Sequence, residues 1–226
     1  VTDTRPSTNT DADWQATLAD WLAGIFAAAP SDATVDSYRT GVGALLLEAL
    51  HWEPGCSKGA TIMQRAFIQG EPTAAAAHRF SVAFTQLFEG LGGPHTVPPF
   101  ESAHASPSGR LFQASSSAMK RRLREAELTP STGDREPADH LSVELALLAS
   151  LMRRDGSEGA QLALLNDHLL VWVPGFARAV AQQDSTGFYG GAALALSGFL
   201  AERQVDLADR SGHRSASQPS NGISPC

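Results

Sequence analysis

The chain has 226 residues, 42% of them hydrophobic, and its 17 Lys+Arg against 24 Asp+Glu leave a formal charge of -7. That length supports one or two globular domains whose core needs no metal or disulfide staple, and the acidic balance argues against nonspecific binding to nucleic acid. Cys56 and Cys226 stand alone, without zinc or CxxC spacing, which fits a reducing compartment. The longest apolar stretches, 21–29 and 162–173, are shorter than the ~20 residues of a membrane span, and Asp167 and His168 interrupt the second. Residues 1–13 carry no apolar region of the kind a secretory leader needs, so the expected location is the cytoplasm.

Ala and Leu far outnumber Val and Ile, which predicts helices rather than strands. Residues 1–10 read as a flexible N-terminus. After Asp11 and Asp13, Trp14, Leu18, Trp21, Leu22, Ile25, Phe26 and Ala29 recur with a helical period until Pro30 and Ser31 end the run. Val35, Tyr38, Val42, Leu45, Leu46 and Ala49 trace a second amphipathic face, stopped by Pro54-Gly55. A short third helix is expected over 58–69. Glu71-Pro72-Thr73 opens another, with Ala77, Phe80, Phe84, Leu87 and Phe88 on one face, and Gly90, Gly92, Gly93 and Pro94 break it.

A proline-stiffened loop is expected over 94–107, then a polar helix over 109–128 that ends in Lys120, Arg121, Arg122 and Arg124. The Pro/Gly/Asp-rich stretch 129–135 reads as a hinge. Residues 141–152 are apolar on nearly every side and mark a central buried helix. Helices over 162–173, 174–183 and 188–205 complete the set, with Pro174 placed at a first turn, and the Ser/Gly/Pro/Asn-rich residues 209–226 read as a disordered tail.

The residues capable of chemistry are few. Pro137, Asp139 and His140 run into the apolar helix as a helix start would, with Pro137 in the first turn and Asp139 facing the positive helix end. The same segment, with Asp134 and Glu136, also offers carboxylates that could receive guanidinium groups, and His140 adds a pH-dependent donor. Asp139, His140 and His168 are competent metal ligands, which leaves a helical metal-dependent hydrolase as one reading. No GxSxG surrounds a serine, and the glycines at 90–93 lack the lysine of a phosphate-cradling loop. The basic run at 120–124 reads as a solvated helix face.

Four patterns then occur in chain order: Leu87-Phe88-x-Gly90, Pro98-Pro99-Phe100-x-Ser102, Glu136-Pro137-x-Asp139-His140, and His168-Leu169-x-x-Trp172-x-Pro174-x-Phe176. Together they resemble the TorD/DmsD/NarJ superfamily of redox-enzyme maturation chaperones, most closely its TorD/DmsD branch, over residues 74–207. The resemblance implies an all-α, TorD-like bundle of about ten helices. It divides into helical subdomains at 11–128 and 141–208, joined by a hinge at 129–140.

The resemblance also implies a cytoplasmic chaperone without catalytic residues. Such a chaperone binds the apo catalytic subunit of a molybdenum-cofactor oxidoreductase, with its twin-arginine signal peptide, and holds back export until the cofactor is inserted. The peptide- and client-binding residues it implies are Leu87, Phe88, Pro98, Pro99, Phe100, Ser102, His104, Glu136, Pro137, Asp139, His140, His168 and Trp172. No metal and no resident cofactor are expected. A GTP-binding assembly factor is the alternative, and a transient molybdenum-cofactor contact stays open. No nucleic acid and no membrane insertion are expected, and both a monomer and a dimer swapped through the hinge fit the chain.

Overall fold

The computed structural model describes residues 8–90, 93, 95–105, 114–128 and 137–216. Helix α1 (Thr8–Ala27) buries Leu18, Leu22, Ile25 and Phe26, and it packs along α8 (Leu141–Met152), whose bounds are those expected from its apolar run. The helix begins at Thr8, inside the stretch expected to be flexible.

The amphipathic face read through 35–49 is divided between two helices. Gly41 is extended (φ -107°, ψ -155°), its N–H donates to Ser37 O at 2.9 Å, and Ser37 Oγ accepts the Gly43 N–H at 3.0 Å. Helix α2 (Asp32–Thr40), capped by Ser31, buries Val35 and Tyr38. Helix α3 (Val42–Trp52) restarts in a different phase: Gly43, Leu47 and Leu50 go inward, and Val42 and Leu45 turn to solvent.

Helix α4 (Ser57–Arg65) crosses the 29-residue α11 (Phe188–Ala216) at very close range, with Gly59 against Gly191 and Ala195, and Gly55 against Gly198. Helix α5 (Thr73–Phe84) runs into a π-helical turn, Thr85–Glu89, that buries Leu87 and Phe88. Phe88 and Phe26 both contact Phe176, at ring centroid distances of 6.1 and 5.7 Å, and the Tyr189 hydroxyl donates to Phe80 O at 3.1 Å. This aromatic group joins α1, α5, α11 and α10 (Leu170–Gln183) in one core.

Two short helices, α6 (Glu101–Ala105) and α7 (Ala114–Glu125), precede α8. Helix α6 lies inside the segment expected to be loop. Helix α9 (Glu158–Leu164) passes through a second π-turn, Leu165–Leu169, directly into α10, so 158–183 is one continuous rod. Pro174 is therefore inside α10 and not at a first turn. The carbonyl left without its N–H is that of Leu170, the residue where π-turn gives way to α-helix, so the proline interrupts little regular ladder.

The tail expected from 209 is also helical as far as Ala216, held by ion pairs of Asp206 with Arg210 (2.9 Å) and Arg203 (3.3 Å); residues 217–226 lie outside the described residues. Of the expected hinge, 129–136 lie outside them as well. Packing crosses that boundary repeatedly, most extensively where α1 lies on α8 and α4 on α11, so one hydrophobic core serves both sides. The described residues form no strand beyond a single antiparallel bridge between Phe100 and His140.

Candidate functional site: a strap anchored on buried acids

Residues 97–105 form a strap across the ends of α8 and α10, and each of its turns is tied down. Pro98 and Pro99 have no N–H, so the strap can only accept there: Leu141 N–H donates to Pro99 O at 2.8 Å, and the His104 ring donates to Pro98 O at 2.8 Å. Val97 N–H donates to Leu87 O of the first π-turn at 2.6 Å. Glu101 N–H donates to Asp139 O at 3.0 Å, and Ser102 N–H donates to the Asp139 carboxylate at 2.8 Å. Ser115 and Ser116 support the same corner, with Ser115 Oγ donating to Asp139 at 3.3 Å and Ser116 Oγ accepting the Ala138 N–H at 3.2 Å.

Asp139 is thus a staple inside the protein, fully buried. The helix-start reading of this segment is four residues early: α8 begins at Leu141 with His140 as its cap, whose Nδ1 accepts the Ser142 N–H at 3.1 Å, and both Pro137 and Asp139 precede the helix. The reason is chemical. An imidazole with a free Nδ1 does the work of a capping oxygen, and the carboxylate beside it is taken by α6.

Behind the strap lies a second layer of buried ionisable groups. His168, carried on the second π-turn, donates to Glu101 at 2.8 Å, both side chains being less than a tenth exposed. Trp172 Nε1 donates to Glu144 at 3.2 Å. Burial, and then the nearby Glu101 charge, push the Glu144 carboxyl well above its usual range, which favours its neutral form. Ser102 Oγ, Asp139 Oδ1 and Glu144 Oε1 are buried without a hydrogen-bond partner among the described residues. Glu101 and Glu144 were not among the sequence-derived site residues. For Glu144 the available signal was one acidic residue inside a mostly apolar helix.

The residues expected to bind the client therefore fall into two sets. Leu87, Phe88, Pro99, Ser102, Pro137, Asp139, His168 and Trp172 are buried, and Glu136 lies outside the described residues. Pro98, Phe100, His104 and His140 are partly exposed and share the strap: the Phe100 and His140 rings meet edge to face at 4.8 Å, and His104 stacks on Trp172 at 5.2 Å. Val171, 60% exposed, precedes Trp172 on α10. Among the described residues, this face offers apolar and aromatic surface with two imidazoles and no open carboxylate. The described residues contain no group of three His, Cys, Asp or Glu able to hold a metal ion, which leaves the hydrolase reading without a ligand set there. The basic run is spent partly on structure, Arg122 pairing with Asp167 at 2.8 Å and Arg121 with Glu125 at 3.8 Å. No described helix is long and apolar enough to cross a membrane.

Two groups of the site give opposite pH dependences. Burial depresses the His140 imidazole from 6.5 to about 4, against a smaller upward pull from Asp139. Between those values the unfolded chain holds the extra proton, so this contribution is complete above the unfolded value and is lost as pH falls toward 4. Protonation also removes the Nδ1 acceptor that caps α8. His140→Asn, which caps without titrating, should flatten the acid limb of a melting temperature against pH curve. Glu144 works the other way: its folded pKa is raised, so its contribution is complete at low pH and is lost as pH rises through the folded value. Glu144→Gln keeps an oxygen for Trp172 and cannot ionise. It should match the wild type in acid and melt higher than it on the alkaline side.

The family described as nitrate reductase delta subunit matches residues 47–178. The chain is 30% identical to the chaperone protein TorD of Ferrimonas balearica over 203 residues, covering 86% of this chain and 90% of that protein. It is 31% identical to the chaperone protein TorD of Aeromonas salmonicida over 196 residues (80% and 85%), and 26% identical to that of Photobacterium profundum over 199 residues (83% and 90%).

Proposed function

Because the chain belongs to the nitrate reductase delta subunit family, within the TorD/DmsD/NarJ superfamily, we propose that it is a cytoplasmic maturation chaperone for the catalytic subunit of a molybdenum-cofactor oxidoreductase. It binds the apo subunit, with its twin-arginine signal peptide, and delays export until the cofactor is in place. The observation that carries this reading is the match to chaperones named TorD over most of both chains.

The strap supports a particular division of labour. The client contact falls on Pro98, Phe100, His104 and His140, and the buried Asp139, Glu101, Glu144 and His168 hold that face in shape. Apolar contact then supplies most of the affinity. Covering ~400 Å2 of a signal peptide's apolar run yields on the order of 10 kcal/mol gross, most of it offset by association and ordering.

The test is affinity capture with the tagged protein from its own cells, with wild type beside Phe100→Ala and His104→Ala variants of verified fold. A molybdoenzyme catalytic subunit with its leader attached should co-purify with the wild type, about tenfold less with either variant if each side chain is an interface anchor. Absence of any such subunit from cells that express one would overturn the reading. Capture undiminished by both variants would move the client contact off the strap.

A further inference from the structure

Helix α3 is apolar on every side, with Glu48 and His51 as its only polar residues. A helix of that composition is a buried helix, yet the fold uses only one side of it: Gly43, Leu47 and Leu50 enter the core. On the other side Val42 is 68% exposed, Leu45 66% and Trp52 80%, with Ala49 partly exposed between them. These residues continue the core-like pattern of the sequence, but the restart at Gly41 has turned them outward. Together they present on the order of 400 Å2 of apolar surface along one helix, the scale at which exposed patches mark contact sites.

We propose that this stripe is where two copies of the chain meet, α3 against α3, antiparallel across a two-fold axis at the level of Leu47. The spacing is self-complementary about that level. Position 42 pairs with 52 and position 45 with 49, so Val42 meets Trp52 and Leu45 meets Ala49, large against small in every layer. An isologous contact requires this match of a surface with itself. No Lys or Arg lies on α3, and Glu48 stands at the edge of the stripe, exposed to solvent, so no charge is buried by the pairing. The area is about half of the ~800 Å2 per partner of a standard interface, which makes the dimer reversible and dependent on concentration. It needs no exchange of helices through the 129–140 segment.

Sedimentation velocity over a range from about 5 to about 300 μM, bracketing a weak association, tests it. The weight-average mass of the wild type should rise toward that of a dimer. Trp52→Glu and Leu45→Glu should each hold the protein monomeric throughout, with unchanged circular dichroism because both side chains are exposed. Val42→Trp alone sets Trp against Trp and should abolish association, whereas Val42→Trp with Trp52→Val restores the large-against-small layers and should recover it. A wild type that stays monomeric at the highest concentration overturns the proposal. So does a dimer indifferent to Trp52→Glu and Leu45→Glu, which would place the contact elsewhere, as would a slowly exchanging swapped dimer. Association that appears only after residues 217–226 are deleted would also overturn it, because the chain's own end would then be what covers the stripe.

Discussion

Gly59→Ala should lower the melting temperature by about 6–12 °C, the shift expected for ~3 kcal/mol in a chain of this size. A Cβ at Gly59 would fall inside contact distance of Gly191 O, 2.5 Å from Ala195 N and 2.7 Å from Ala195 Cβ. Those are mostly backbone atoms of α11, which cannot turn away as a side-chain tip could, so relief requires separating α4 from α11. Separation would also disturb the Cys56 thiol, which donates to Ala195 O at 3.3 Å, and the Gly55–Gly198 approach one turn away. The ~1 kcal/mol that alanine gains over glycine within a helix does not offset this. Gly24→Ala is the matched control. It lies in α1 with nothing within 4 Å of its added Cβ, so the same replacement should raise stability by about 0.5–1 kcal/mol. Thermal melts of the two variants beside the wild type check both signs. An unchanged melting temperature for Gly59→Ala would mean that α4 and α11 separate at no cost.

What was legible in the sequence follows from which interactions are local. The excess of Ala and Leu over β-branched residues gave the all-α class, and the mostly apolar run of 141–152, broken only by Ser142, Glu144 and Ser150, gave the bounds of α8, because both depend on neighbours a few residues apart. The order of the four family patterns pointed to the chaperone superfamily. Periodicity failed where one residue resets the phase: Gly41 keeps the hydrophobic spacing of 35–49 intact on paper but rotates α3, so Val42 and Leu45 face solvent. Pro174 read as a helix start because the π-turn before it leaves no mark in a 3.6-residue pattern. The site was legible as a set of residue types but not as an arrangement. A carboxylate in a sequence looks available, and only the pairing of 97–105 with 137–141, some forty residues away, shows that Asp139 is already occupied.

That occupation sets the second large effect. Asp139→Ala should cost about 2–3 kcal/mol, a melting temperature lower by about 4–12 °C, because the Ser102 N–H loses a charged acceptor in a place closed to water, and the Ser115 hydroxyl loses its partner. The backbone bond from Glu101 N–H to Asp139 O survives the substitution, so the strap should loosen at α6 without detaching. Asp139→Asn retains an oxygen for Ser102 and removes one of the charges that raise the Glu144 pKa, so it should stay within about 1 kcal/mol of the wild type. Hydrogen exchange locates the difference: the Ser102 amide should exchange much faster in Asp139→Ala and remain protected in Asp139→Asn. If Asp139 acted instead as an open acceptor for a client's guanidinium groups, both substitutions would weaken client capture alike and neither would move the melting temperature. A full drop in stability for alanine with recovery for asparagine would tie the family's acidic signature to the shape of the strap, with recognition left to the rings that the strap presents.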